Sequence, residues 1–493
     1  MYEKLIKTVT NLGSPKVLLA GDFMLDIYTY GDAVRISPEA PVPVLKVTKT
    51  EYSGGGASSV AMDVATLGAK VVCVGMIGND RNGDRLTKIL SRDGIDISGL
   101  LVVDNRPTIS KQRLIGLAQH RHQQQLFRMD HEVCDALSDE EAGRILDIYK
   151  EKINDCDIVC LQDYNKGLLC ESVCTKMIEI ANKAGRRVLV DPSASCDYAK
   201  YKGATLITPN RQETSLAVGF AIENMDAAAK AAKKLYGQLQ LKAAVITLDK
   251  EGAYLHTNDI SDVIPTRPRN VYDVTGAGDM VLAMIAVVLA AGYDYRTAVE
   301  LSNIAGGIEV EKFGVATVSI EEILNEILGQ HLGKSGKLRT PDALGTELDW
   351  HRRQKESIVF TNGCFDVLHR GHIEYLAFCK QQGNIVVVGL NSDNSVKKIK
   401  GPQRPINNQN DRAAVLAGLE SVDYVTIFDE PDPLSLIMKV KPDVLVKGTD
   451  WAEKGVIGRE FVEANGGKVA LAPLVQGKSS TSVIEKMKSS AKE

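Results

Sequence analysis

Two short runs in the chain carry residue types suited to moving phosphate. In Asp273-Val-Thr-Gly-Ala-Gly-Asp279 a glycine turn leads directly into the apolar stretch Met280–Ala291. Gly276, Ala277 and Gly278 therefore open a helix whose first backbone N–H groups have no partner within it, and such a helix start attracts anions. The glycines let the backbone close around a phosphate, while Asp279 can take the proton of a hydroxyl held above the turn. The chemistry this suits is phosphoryl transfer to an alcohol. A Gly-x-Gly-Asp run standing alone is more often a tight turn with a capping aspartate, so this reading needs support from elsewhere in the chain.

The second run is Phe360-Thr-Asn-Gly-Cys-Phe-Asp-Val-Leu-His-Arg-Gly-His372. A strand leads through a glycine turn to His369 and His372, spaced i, i+3 at a helix start, so both imidazoles can face one ligand. Gly371 removes bulk between them. Together with free helix N–H groups, they can bridge a nucleotide's phosphates and stabilise charge developing during attack at the α-phosphorus. That is nucleotidyl transfer without a covalent enzyme intermediate, with the histidines acting as electrostatic clamps more than as bases. A lone His-x-x-His also suits half of a zinc site, but no third ligand stands at matching spacing.

The elements that must hold these runs follow from the apolar pattern. Short Val/Ile/Leu runs alternate with helix-compatible stretches: Lys16-Val-Leu-Leu-Ala-Gly-Asp22, Lys70–Gly75, Asp157–Leu161, Arg187–Asp191 and Ala244–Leu248. This is the pattern of an α/β protein with a mainly parallel sheet, and several runs end on Asp, Gly or Thr, where open α/β sheets bind ligands. Between Gly329 and Lys355 the pattern lapses into Gly, Ser, Pro and dense charge, which predicts a linker over 331–355 between domains at 1–330 and 356–493. A second α/β series follows at Ser357–Thr361, Asn384–Gly389, Asp423–Phe428 and Asp443–Lys447.

A length of 493 residues requires at least two cored units. The net charge of −4 leaves no excess of positive charge for a polyphosphate backbone, so nucleic acid is not an expected partner. The longest apolar run, twelve residues from Met280, is too short to cross a bilayer, and no secretory signal is read at the N-terminus. Nine cysteines without a Cys-x-x-Cys pair read as reduced thiols, so the expected location is cytoplasmic.

Around the first run stand Gly54-Gly-Gly-Ala57, Gly75, Gly78, Asp80, Gly83 and Thr208-Pro-Asn-Arg-Gln-Glu213. This ordered set, over roughly residues 10–325, resembles the ribokinase-type carbohydrate kinases. The resemblance implies a ribokinase-like fold with a β-lid, Asp279 as catalytic base and Gly276, Ala277 and Gly278 as an anion hole. It further implies that Asn210 and Glu213 organise Mg²⁺ through water. Asp22, Asp26, Gly55, Gly56 and Ser59 would face the sugar, and Thr247, Gly252 and Asn303 the ATP. Ser59 stands where the family usually has Asn. Arg35-Ile-Ser-Pro-Glu-Ala-Pro-Val-Pro-Val44 is too proline-dense for a helix and suits an edge-strand lid that would exclude water. Lys111, Arg113 and Arg128 are candidates for gripping an anionic group on the sugar.

The His-x-Gly-His run is similar to that of the cytidylyltransferase-like nucleotidyltransferases, which have a Rossmann-like fold. Asn391-Ser-Asp393, Lys400-Gly-Pro-Gln-Arg404, Lys447-Gly-Thr-Asp450 and Ser479-Ser-Thr-Ser482 follow in the family's order. The similarity implies ATP contacts at Thr361, Asn362, Gly363, Phe365, Gly371, Asp393, Ser480, Thr481 and Ser482.

The fusion of the two resembles the bifunctional heptose enzymes of lipopolysaccharide core synthesis. It implies phosphorylation of heptose 7-phosphate at O1, then adenylyl transfer from ATP to heptose 1-phosphate, with Mg²⁺ in both domains and a homodimer formed through the kinase half. Two competing readings are a kinase fused to a cytidylyltransferase for another sugar or polyol phosphate, and a regulatory protein with one silent domain. ATP against CTP assays separate the first, and binding without turnover would reveal the second.

Overall fold

The computed structural model describes residues 2–116, 124–195, 197–267, 269, 276–312, 316–335, 337–451 and 455–473. The chain divides into two compact units, Thr8–Glu326 and Met1–Lys7 with Ile327–Glu493. Both are α/β.

The main sheet of the first unit has nine strands in the order Ser261–Ile264, Ala253–Thr257, Ala243–Thr247, Leu206–Ile207, Arg187–Asp191, Ile158–Gln162, Lys16–Gly21, Lys70–Gly78 and Asp96–Val103. The first three are mutually antiparallel and the remaining pairs are parallel. Val17, Leu18, Leu19 and Ala20 are fully buried, which is why this strand reads as an unbroken apolar run. From Lys16–Gly21 the chain first builds outward through Lys70–Gly78 and Asp96–Val103, and later in the opposite direction from Ile158–Gln162. The switch point therefore lies between Lys16–Gly21 and Ile158–Gln162, and the crevice at their carboxyl ends is where such sheets bind ligands.

The helix Ala277–Ala290 is buried from Asp279 to Leu289 and packs against the helices Ala57–Thr66 and Tyr295–Glu309. Being apolar on every side, it runs through the core and delivers its N-terminus to the switch point.

A second sheet of four strands, Pro43–Gly56, Phe23–Ile36, Ile109–Gly116 and Gln124–His131, forms the lid. The proline-dense segment is its hairpin tip, not one edge strand. Arg35 pairs with Val44 and Ile36 with Pro43, and the Ser37 N–H closes the turn on the Val42 carbonyl at 2.9 Å.

The second unit is built on six parallel strands in the order Leu338–Arg339, Tyr424–Phe428, Ile385–Asn391, Ile358–Gly363, Val444–Gly448 and Lys468–Ala472. Its switch point separates Ile358–Gly363 from Val444–Gly448.

The expectation of a linker over 331–355 is corrected here. Leu338–Arg339 is the edge strand of this sheet and Pro341–Arg353 is a helix. Three of the charges that suggested solvent, Arg339, Glu347 and His351, are buried and paired, while Arg353 and Lys355 are exposed. Arg339 meets Glu347 at 2.6 Å with both side chains almost fully buried, and His351 lies between Glu356, at 2.5 Å, and the Tyr424 hydroxyl, at 2.8 Å. Among the described residues no helix is long and apolar enough to cross a membrane.

Candidate active sites

At the first switch point the strand Ile158–Gln162 ends on a glutamine that organises two acids. The Gln162 amide nitrogen donates to Asp191 at 2.8 Å and to Asp279 at 2.9 Å, and the Tyr164 hydroxyl donates to the same Asp279 oxygen at 2.9 Å. Asp279 is 5% exposed. Burial, reinforced by the Asp191 charge, pushes its carboxyl up to about 8, against the opposing influence of Tyr164 and Ser59. A carboxylate so placed is a strong base aimed into the crevice.

Gly276 sits at the N-cap of Ala277–Ala290 with φ +96°, in the left-handed region open to glycine. A Cβ there would lie 2.5 Å from Glu309 Oε1. The first intrahelical bond runs from the Met280 N–H to the Gly276 carbonyl, which leaves the N–H groups of Ala277, Gly278 and Asp279 outside the helix ladder. Gly278 lies beside Asp191, since a Cβ there would stand 4.0 Å from Asp191 Oδ2. Residues 273–275 of this motif lie outside the described residues.

The predicted sugar residues fall into two groups. Asp26 is buried and paired with Arg113 at 2.9 Å; Gly55 makes room for it, since a Cβ there would meet the Asp26 carboxyl carbon at 2.8 Å. Arg113 stands opposite Arg128 on the neighbouring strand, and Lys111 places its ammonium 4.8 Å from the centre of the Tyr164 ring. Lys111, Arg113 and Arg128 thus share one face of the lid, and Lys111 and Asp279 are separated by a single tyrosine ring. Ser59 is buried beside Asp279, and Gly56 caps its helix. Asp22 also has a structural role. Its Oδ2 accepts the N–H groups of Tyr164 and Lys166, both at 3.0 Å, so it shapes the turn that aims Tyr164 at Asp279.

Asn210 and Glu213 form a reciprocal cap on the helix Arg211–Val218: the Glu213 N–H donates to Asn210 at 2.9 Å and the Asn210 N–H to Glu213 at 2.8 Å. Burial, then repulsion from Asp191, raises the Glu213 carboxyl to about 7. Glu213 and Asp191, whose charges disfavour each other, and the Asn210 amide oxygen are hard oxygen ligands of the kind that hold a cation through water. At the antiparallel edge, Asn303 donates to the Ile264 carbonyl at 2.7 Å and the Leu248 N–H donates to Gly252 at 2.7 Å. Thr247 is bridged to Asn210, which joins this edge to the Asn210–Glu213 cap.

The second site is a cavity of about 490 Å³ at the carboxyl ends of the second sheet, lined among others by Asn362, Gly363, Phe365, His369, Gly371 and His372. His369 is the N-cap of the helix Arg370–Gln381, and its ring stacks on His372 with centroids 4.0 Å apart. The His369 N–H points at His372 Nδ1, 3.4 Å away, so the neutral ring carries its proton on Nε2. Burial, then the His369 and Lys400 charges, lowers His372 to about 4. In the ligand-free protein the His372 ring is therefore held toward its neutral form.

Two predicted ATP contacts lie away from this cavity. The Thr361 hydroxyl is buried 2.7 Å from the hydroxyl of Tyr375, which itself lines the cavity. Asp393 accepts from Arg412 at 2.7 Å, and Arg412 in turn donates to the Cys364 and Asn391 carbonyls at 2.6 and 2.9 Å. Asp393 therefore steadies the glycine turn from outside. Ser480, Thr481 and Ser482 lie outside the described residues.

The sequence reading did not select Gln162, Tyr164, Asp191 or Trp451, and it noted Lys447 only within the Lys447-Gly-Thr-Asp450 run, without a role. The usable signal was position: Gln162 and Asp191 are the last residues of parallel strands, and Lys447 is the penultimate one.

The pfkB family carbohydrate kinase pattern matches residues 14–323, and the cytidylyltransferase-like pattern matches residues 360–485. The chain is 42% identical over 471 residues to the bifunctional protein HldE of Geobacter metallireducens, covering 95% of each. It is 40% identical to that of Wolinella succinogenes, covering 97% of this chain and 98% of the relative. Escherichia coli phosphofructokinase-2, solved with substrates and products, shares the first unit's fold with a TM-score of 0.53 at 20% identity, over 64% of this chain and 98% of that one. With a carbohydrate kinase pattern followed on one chain by a cytidylyltransferase-like pattern, and with this identity to HldE proteins over nearly the full length, the chain belongs to the bifunctional HldE family of heptose kinase and adenylyltransferase proteins.

Proposed function

We propose that the first unit transfers the γ-phosphoryl group of ATP to O1 of D-glycero-β-D-manno-heptose 7-phosphate, giving the 1,7-bisphosphate. The second unit joins ATP and heptose 1-phosphate to ADP-heptose, releasing pyrophosphate, for lipopolysaccharide core synthesis. The observation that carries the kinase half is the buried Asp279 carboxylate beside open helix N–H groups, within one tyrosine ring of the Lys111 ammonium.

In this reading Asp279 takes the O1 proton while the N–H groups of Ala277, Gly278 and Asp279 receive the transferred phosphoryl oxygens. Asp26, Gly55, Gly56 and Ser59 border the sugar, and Lys111, Arg113 and Arg128 hold its 7-phosphate. Asn210 and Glu213, with Asp191, would hold Mg²⁺ through water, and the ion when bound offsets charge on the nucleotide phosphates. Thr247, Gly252 and Asn303 border the nucleotide.

In the second unit His369, His372 and the N-terminus of Arg370–Gln381 receive the ATP phosphates, against Asn362, Gly363, Phe365 and Gly371. The attacking sugar phosphate is already anionic, so no base is required there. A separate phosphatase must remove the 7-phosphate between the two steps. Both reactions draw on ATP, so a cytoplasmic location follows. The exposed apolar residues of the lid, Ile36, Val42, Val47 and Phe127, suit closure against a second copy, giving a homodimer through the kinase half.

The test is product analysis with the full chain, Mg²⁺, ATP or CTP, and a panel of sugar and polyol phosphates. Heptose 7-phosphate is expected to yield the bisphosphate, and heptose 1-phosphate with ATP to yield ADP-heptose. Preference for CTP, or turnover of another acceptor in place of heptose, overturns the assignment.

A further inference from the structure

Lys447 is the penultimate residue of the strand Val444–Gly448, beside the second switch point, and it is 6% exposed. Lysine is almost never buried to this degree without a counter-charge. Here the ammonium donates to the neutral amide oxygen of Asn362 and lies 5.4 Å from the centre of the Trp451 ring. Among the described residues it makes no ion pair. Burial pulls its pKa down to about 8, with the Asp450 charge opposing. Lys447, Trp451, His369 and His372 line the same cavity.

A buried cation whose direct contacts, Asn362 and Trp451, are neutral, and which shares a cavity with two histidines, a helix N-terminus and the nearby acid Asp450, is a site for phosphoryl oxygens. Resting on the adenylyl-transfer reading above, we propose that Lys447 is a catalytic residue of the second unit. It binds the oxygens of the reacting phosphates, either the α-phosphate of ATP or the sugar phosphate that attacks it, and stabilises the charge that builds up between them. Asn362 holds the ammonium in place and Trp451 covers its stem. The bland alternative is that Lys447 serves only as a hydrogen-bond donor that fixes Asn362 at the end of its strand.

Lys447→Gln keeps a donor for Asn362 and removes the charge, whereas Lys447→Arg keeps the charge. In the full chain, Lys447→Gln is expected to lower kcat/KM for ADP-heptose formation by about 10²–10³-fold, the range seen when a single charge-stabilising donor is lost. Kinase activity should be unchanged and Lys447→Arg should recover at least tenfold over Lys447→Gln. Adenylyl transfer by Lys447→Gln within threefold of wild type, or no recovery with Lys447→Arg, overturns the proposal.

A second measurement needs no variant. Pyridoxal phosphate with borohydride should label Lys447 of the wild-type chain, read by peptide mass spectrometry. Saturating ATP alone should suppress labelling at least tenfold if the α-phosphate is the ligand, and sugar 1-phosphate alone if the acceptor is. Labelling unchanged by either one overturns the proposal. Wild-type turnover with heptose 1-phosphate is read in the same experiment, so failure of the adenylyl-transfer reading is seen separately.

Discussion

Gln162 donates to the Asp279 carboxylate at 2.9 Å across 117 residues of chain. The same nitrogen reaches Asp191, so one neutral side chain at the end of one strand spaces two acids that would otherwise repel. Tyr164 supplies a second donor to Asp279, and its own position depends on Asp22, which accepts the Tyr164 and Lys166 N–H groups. Burial and the Asp191 charge raise the basicity of Asp279, while these donors fix its direction and hold back part of that rise.

That frame makes the kinase reaction dependent on pH in a stated direction. Asp279 acts as the carboxylate, and its pKa in the free protein is pushed up to about 8. The kinase kcat/KM should therefore rise with pH up to about 8 and then level off. Tyr164→Phe removes a donor that lowers this pKa, so the rise should move to higher pH. Stopped assays of bisphosphate formation from pH 6 to 9.5 check both. An unmoved profile in Tyr164→Phe removes Asp279 as the titrating base.

Each site should fail alone. Asp279→Asn is expected to abolish phosphorylation and leave ADP-heptose formation intact, and His372→Ala should do the reverse. The Asp279 carboxylate has partners from Gln162 and Tyr164, while His372 is tied to His369, so the two variants disturb unrelated networks. Silencing of both activities by either substitution in folded protein would refute two independent sites.

Gly276→Ala tests the anion turn. The added methyl would fall 2.5 Å from Glu309 Oε1 at a φ of +96° that alanine disfavours. The expected result is a loss of about 10²-fold or more in kinase kcat, because the N–H groups of Ala277 and Gly278 would be re-aimed. A stability cost of about 1–3 kcal/mol accompanies it. Kinetics and a denaturant melt of the same preparation separate the two effects.

His372 leads to an acid-side prediction for the second unit. Its folded pKa is lowered from 6.5 to about 4, so the unfolded chain binds the proton more readily. Stability from this group is complete above about pH 6.5 and is lost as pH falls toward 4. His372→Asn should flatten the acid limb of the second unit's melting curve between those values. An equally steep limb in the variant would mean that another group carries it.

Much of this molecule was legible in its sequence because buried parallel strands write themselves as Val/Ile/Leu runs and because glycine turns and paired histidines are short local signals. Lys16–Gly21, Arg187–Asp191 and Ile385–Asn391 all stand where the apolar runs lay. Asp279, Gly276 and the histidine pair were visible for the same reason. The frame around them was not. Gln162, Tyr164 and Asp191 acquire meaning only when separate strands are brought side by side, and nothing near them in sequence marks the contact. The contacts of Asp22 with backbone N–H groups and of Asp393 with Arg412 were likewise invisible in the sequence. The segment 331–355 misled because its charges are neutralised by partners such as Glu347 with Arg339, and composition does not record pairing.

The last prediction concerns what the kinase crevice costs the fold. Asp279 is raised from 3.8 to about 8, Glu213 from 4.5 to about 7, and Asp22 and Asp191 from 3.8 to about 6 each, with burial the largest cause in all four. For each, the folded state holds its proton more tightly than the unfolded chain does. The stability they contribute is present below about pH 4 and is lost as pH rises through about 6 to 8. The first unit should therefore melt at lower temperature at pH 8.5 than at pH 6 when no ligand is bound. Asp279→Asn keeps the shape and removes the buried charge, so at pH 8.5 it should raise stability by about 0.5–2 kcal/mol while destroying phosphorylation. Calorimetry of the ligand-free chain at the two pH values decides the matter. If Asp279→Asn melts no higher than wild type at pH 8.5, the carboxylate is not being held against its own desolvation.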